Sequence, residues 1–258
     1  MLPIEVKRNA VSGESARFGI PAHIHVCVTA AGSVILDVKR DKYLGLGREE
    51  TELLADAVSG WPEPVWQRSL CSDRSTRLNA EKATCESLVA DGVLERVSDA
   101  KNARVVPALK DMRGEWIPIG DELEVRGRVT PRHIMHLLGA FWWARCSLAW
   151  RPFSIVVEEV RARKMHGASG LHQWEIRRLA AMVDVFRRLR PFVFAAEGRC
   201  LLHALTLIRF LSQYQLHPEW VIGVTTQPWG AHSWVQWDHY LLDSNPEKVC
   251  GYTPIMMV

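Results

Sequence analysis

The sequence predicts an α+β protein in two parts, and three observations carry that expectation. Short runs with period-two alternation cluster between residues 21 and 46, apolar residues at helical spacing dominate 130–189, and the last sixty residues join one more helix to a strand-and-turn segment. A chain of 258 residues has room for two modest domains, and 48% hydrophobic against 24% charged residues excludes a disordered chain. The 32 basic and 29 acidic residues leave a net charge of +3, too small to expect nucleic acid as a partner. No apolar run approaches the roughly 18 residues of a membrane-spanning helix, and the opening Met1-Leu2-Pro3-Ile4-Glu5-Val6-Lys7-Arg8 lacks the apolar stretch of a secretion signal. Six cysteines, at 27, 71, 85, 146, 200 and 250, form no CxxC pair and no regular spacing. The expectation is a cytoplasmic protein with free thiols, acting without a membrane.

The elements follow in order. His23-Ile24-His25-Val26-Cys27-Val28, a turn at Ala30-Ala31-Gly32-Ser33, Val34-Ile35-Leu36-Asp37-Val38 and Lys42-Tyr43-Leu44-Gly45-Leu46 read as a three-strand meander. Arg48 to Val58 carries Glu49, Glu50 and Glu52 near its start, as a helix start prefers. Gly60-Trp61-Pro62-Glu63-Pro64 interrupts the chain; Ala83 to Asp91 is helical, Gly92 caps it, and Val93 to Val97 reads as a short wing strand. Residues 99–127, with Pro107, Gly114, Pro118 and Gly120, read as a linker or domain edge. Thr130-Pro131 is an N-cap and first-turn pair for a helix with Ile134, Leu137, Leu138, Phe141 and Trp142 on one side, which Pro152 ends or kinks. Leu171 to Leu189 is the next helix, apolar at Trp174, Ile176, Leu179, Met182, Val183 and Phe186.

The chemistry concentrates in the final stretch. Glu197-Gly198-Arg199-Cys200 opens a glycine-led helix, and the positive end of a helix favours the thiolate form of a cysteine placed there. Ala231-His232-Ser233-Trp234-Val235-Gln236-Trp237 is β-type and runs through Asp238-His239 into Tyr240-Leu241-Leu242-Asp243. A histidine beside a thiol can act as base and then as acid, with a carboxylate fixing its tautomer. If Asp238-His239 is a two-residue hairpin turn, Trp237 pairs with Tyr240 and Trp234 with Asp243, which makes Asp243 a diagonal neighbour of His232. A three-residue turn reverses that geometry.

These residues carry a resemblance. Cys200 in its helix, Trp220-Val221-Ile222-Gly223-Val224, and Pro228-Trp229-Gly230-Ala231-His232-Ser233-Trp234-Val235 together resemble the lasso-peptide maturation peptidases, which look like bacterial relatives of transglutaminases running a Cys-His-Asp protease. The resemblance covers residues 130–258 well and implies a papain/transglutaminase-like cysteine protease domain at 128–258, with catalytic Cys200, His232 and Asp243. It extends to the first unit, where Tyr43-Leu44-Gly45-Leu46 and Leu88 to Leu94 are similar to the small, winged-helix-like PqqD-like domain that recognises precursor leaders. It then implies a leader-recognition domain at 1–98, the leader adding as a strand at Tyr43, Leu44, Gly45 and Leu46 with Leu88 near the groove. The implied partners are the precursor leader peptide and an asparagine-synthetase-like lasso cyclase. No metal and no directly bound cofactor is implied; ATP enters through the partner cyclase, since the chain has no glycine-rich phosphate loop. One departure stands out: the family's acid falls twelve positions after its His, where this chain has Ser244, with Asp243 one position earlier and Asp238 as the fallback.

Several residues have plainer readings. His23, His25 and Cys27 share one strand face but lack further ligands for a metal shell, and the same holds for His133 and His136 on a helix. His203, one turn after Cys200, reads as a surface helix position. The Arg runs at 177–178 and 187–190 read as a solvated face, and Trp229, Trp234 and Trp237 as core packing or cleft lining. Two rivals to a peptidase stay open: acyl transfer to an amine through the same Cys200–His232 pair, and a leader-delivering adaptor without catalysis.

Overall fold

A computed structural model of the chain describes residues 18–67, 74–97, 116–123, 125–164, 173–195 and 198–258. Most of the predicted 99–127 segment lies outside them. The N-terminal elements are β1 (Phe18–Gly19), β2 (Ile24–Thr29), β3 (Gly32–Asp37), β4 (Lys42–Leu46), α1 (Arg48–Ala57), α2 (Arg74–Ala90) and β5 (Glu95–Arg96). Strands β2, β3 and β4 form the antiparallel meander the alternation predicts, with Cys27 opposite Val34 and Leu36 opposite Tyr43. Only Glu95 and Arg96 of the expected wing are strand, paired with β1.

Every residue of β3 is buried, because both its faces are covered. Ile35, with Ile24 and Val26, packs on Leu54, Cys85 and Leu88 under the two helices. On the opposite face Cys27, Val34, Leu36 and Val38 join the main core of the C-terminal elements. Burial pushes the Cys27 thiol up to about 12, so this sulfur is an inert apolar group. The turn between β2 and β3 depends on one glycine. Gly32 has φ +144°, and a Cβ there would lie 2.0 Å from the Leu46 carbonyl oxygen. Gly32→Ala is therefore expected to cost about 3 kcal/mol, read as a lowered urea midpoint; an unchanged midpoint contradicts this account of the turn.

The C-terminal elements are β6 (Ile117–Pro118), α3 (Ile119–Glu122), α4 (Pro131–Trp150), α5 (Phe153–Lys164), α6 (Gln173–Leu189), α7 (Cys200–Ser212), β7 (Glu219–Thr226), β8 (Trp229–Trp237), β9 (Tyr240–Leu241), α8 (Pro246–Val249) and β10 (Thr253–Met257). A 3-10 turn, Arg190–Phe192, extends α6. The sheet order is β10-β7-β8-β9-β6, antiparallel except that β6 runs parallel to β9. Thr130 has extended backbone and Pro131 opens α4, as expected, and the Thr130 N–H donates to His133 Nδ1 at 3.2 Å. Pro152 separates α4 from α5.

Helix α7 is the centre of the fold. Leu202 to Ile208 and Phe210 to Ser212 are all buried, so it is covered nearly all round, by α4 and α6 on one side and by β7 and β8 on the other. The core residues Trp220, Ile222 and Val224 of β7 and Val235 of β8 face it, while Val221 and Trp234 pack on the other side of the sheet with Val249 of α8. The first turn of α7 opens onto a pocket, and that turn carries Cys200. Strand β10 packs on β2 and β3, which sets the N-terminal meander against the C-terminal sheet.

Candidate active site

Gly198, at φ +68°, turns the chain into α7, Arg199 is the N-cap, and Cys200 is the first helical residue. The amides of a helix's first turn have no partner inside the helix, so they point at whatever occupies the space beyond. Here that space is a pocket of about 470 Å³ lined by Cys200, His203, Arg190, His232, Asp243 and Lys248, among others. The sulfur is a half-buried free thiol. A larger pocket of about 580 Å³ between α3 and α6 holds Asp184 and Arg187 but neither a thiol nor a histidine.

His232 reaches the same pocket from β8. It sits opposite Gly223 of β7, where a Cβ would lie 2.7 Å from the Trp234 ring and 3.0 Å from the Tyr252 Cβ. The missing side chain lets those two rings close around the imidazole. His232 stacks on Trp234 at 24° between planes, and its centroid is 5.3 Å from that of Tyr252. No hydrogen bond holds the ring among the described residues; aromatic packing does. Burial lowers the His232 pKa below its ordinary 6.5, and the charges of Lys248 and His203 lower it further. The imidazole is thus neutral near pH 7, the form a base needs. Cys200 and His232 share the pocket without a direct hydrogen bond, a looseness common before substrate binds.

Asp243 is placed differently from the expectation. The two-residue turn is present: Trp237 pairs with Tyr240, and Leu242 N–H donates to the Val235 carbonyl at 2.9 Å. Asp243 itself has φ +63°, a left-handed backbone that ends the alternation and swings the carboxylate away from the His232 position. Three donors on α6, the 3-10 turn and α7 receive it: His203 Nε2 at 2.8 Å, Arg187 Nε at 3.0 Å and Arg190 at 3.3 Å. Asp243 therefore holds His203, not His232, and His203, read as a surface position, is only 9% exposed between Phe186 and Phe194. The Arg run at 187–190 is likewise not simply a solvated face. Asp238 pairs with its exposed neighbour His239 at the turn tip.

The other expected positions divide. Tyr43 and Leu44 are exposed on β4, Gly45 has open space beside it, Leu46 is half-buried, and the outer edge of β4 has no partner strand among the described residues. Leu88 is a correction. At 5% exposure it is a core residue, and its carbonyl accepts the N–H groups of Val93 and Leu94 that close α2. Tyr43 has a neighbour no sequence pattern could show: its ring meets Trp229 edge-on with centroids 5.6 Å apart. Burial, and then the negative charge of Asp41, push its phenol up to about 12. His136 is bonded to the Tyr214 hydroxyl at 2.9 Å, and no three His, Cys, Asp or Glu side chains among the described residues are placed to hold a metal ion. No helix among them is long and apolar enough to cross a membrane.

Residues 140–257, which hold Cys200, His232 and Asp243, match the family model of the Transglutaminase-like superfamily, whose members are typically cysteine-dependent enzymes. Comparison with curated proteins and with solved structures gives no significant match.

Proposed function

We propose that this transglutaminase-like domain is a cysteine peptidase that cuts the bond between leader and core of a ribosomally made lasso-peptide precursor. The observation that carries the reading is the single pocket shared by the α7 first-turn thiol and the β8 imidazole. The motif around His232 and the open β4 edge beside it support the substrate class. In the first half-reaction the Cys200 sulfur attacks the scissile carbonyl carbon while His232 takes the thiol proton. The Cys200 amide faces the developing oxyanion. The C–N bond then breaks, and His232 returns the proton to the leaving amine. A water molecule gives its proton to His232 and attacks the thioester; the C–S bond breaks and Cys200 is reprotonated. One water is consumed, and one carboxyl and one amine end are released.

In this scheme Trp234 and Tyr252 hold the imidazole, and Asp243 acts one step back by fixing His203 and Arg190 at the pocket wall. An extended leader pairs with the free edge of β4, and the asparagine-synthetase-like cyclase, which uses the ATP, takes the released core. The test is incubation of the full chain with a leader-bearing precursor peptide, scored by mass spectrometry. A single cut giving a free acid is expected; amide formation with an added lysine amine in place of any free acid supports an acyltransferase, and leader binding without cleavage supports an adaptor.

The pH profile adds a second test. The base must be neutral and its pKa is lowered, so the acidic limb of kcat/KM is expected to have its midpoint below 6.5. A midpoint at or above 6.5 contradicts His232 as that base.

A further inference from the structure

Beyond the Ala231 side of the pocket, two aromatic rings from separate parts of the chain meet. On β4, Tyr43 is opposite Leu36 and Gly45 opposite Val34, so both share the sheet face that joins the main core. Tyr43 thus points toward the C-terminal elements, and Gly45 on the same face leaves the space beside it empty. From the other side Trp229 opens β8, three residues before His232. The two rings meet, yet neither is consumed by packing: Tyr43 remains 36% and Trp229 54% exposed. Exposed aromatic pairs of this kind offer a flat apolar surface at low entropic cost to a ligand.

Resting on the peptidase reading, we propose that Tyr43 and Trp229 form a specificity subsite that receives an apolar side chain of the peptide substrate. Trp229 shares its face of β8 with Ala231 and Ser233, which line the pocket, and lies about 7 Å from Ala231 at the usual rise. An extended peptide whose carbonyl lies at Cys200 covers such a distance in two or three residues, so the recognised side chain lies two or three residues from the scissile bond. The N-terminal unit then builds part of the cleft as well as gripping the leader.

The test labels Cys200 of the full chain with tripeptidyl chloromethyl ketones that carry Leu or Asp at the residue farthest from the ketone. Each rate is normalised to iodoacetamide labelling of the same variant, and the adduct is located by mass spectrometry. Wild type is expected to prefer the Leu reagent about tenfold, a usual discrimination for an apolar subsite. Tyr43→Ala and Trp229→Ala are expected to bring that ratio near one, and Tyr43→Phe, which keeps the ring, to retain it. No preference in wild type, or one kept by both alanine variants, overturns the subsite. Loss of precursor cleavage with the labelling preference intact speaks against the peptidase reading instead, so the two failures are distinguishable.

Discussion

Replacing Cys200 by alanine is expected to abolish precursor cleavage, lowering the rate by at least about 10⁴-fold, while leaving the fold and leader binding intact. The reasoning is local. Cys200 is half-buried at the mouth of α7, and the buried residues that hold the helix begin at Leu202. Removing the sulfur takes away the only atom in the proposed mechanism able to form the thioester, but little packing. Cleavage by mass spectrometry, leader binding by fluorescence anisotropy and thermal unfolding separate these effects. Retained cleavage in Cys200→Ala excludes the mechanism, and lost cleavage with a collapsed melting temperature assigns Cys200 to stability instead.

The second large effect concerns Asp243. Its side chain is only 10% exposed and offsets two guanidinium groups and one imidazole. Asp243→Ala leaves Arg187, Arg190 and His203 without their shared acceptor; because the guanidinium side chains are 32% and 25% exposed, the expected cost is about 2–3 kcal/mol. A triad acid acting directly on His232 would instead lower kcat with little change in stability. Unfolding measurements therefore distinguish the two roles. The double variant Asp243→Ala/Arg187→Leu is expected to recover part of the lost stability, because it removes one stranded cation. Strict additivity of the two substitutions contradicts the network.

What was legible in the sequence was local. The three-strand meander, the first turn of α7 at Cys200, the Thr130-Pro131 start of α4 and the two-residue turn at Asp238-His239 follow from alternation, capping and turn chemistry, which act over a few residues. The first half of α2 is polar and carries no apolar stripe, so a helix expected from Ala83 begins at Arg74. The separate helix Phe153–Lys164 gave no capping signal beyond Pro152. The larger differences are tertiary. Asp243 lies 40 to 56 positions from its partners, and one left-handed residue, with no glycine to announce it, sends its carboxylate to His203 rather than His232. Arg187 and Arg190 look like solvent charges until that carboxylate arrives between them. Leu88 reads as a groove residue only until its burial in the core shared by α1, α2 and the N-terminal strands is seen, and the meeting of Tyr43 with Trp229 joins strands with no sequence relation at all.

The central claim is that Cys200 is acylated with the help of His232. Mixing the full chain with an activated peptide ester, digesting it and weighing the fragments tests this directly. The expected result is a peptidyl adduct on the fragment that begins at Cys200, formed at least about 100-fold more slowly in His232→Ala. An adduct on another residue, or equal rates in the two proteins, contradicts it.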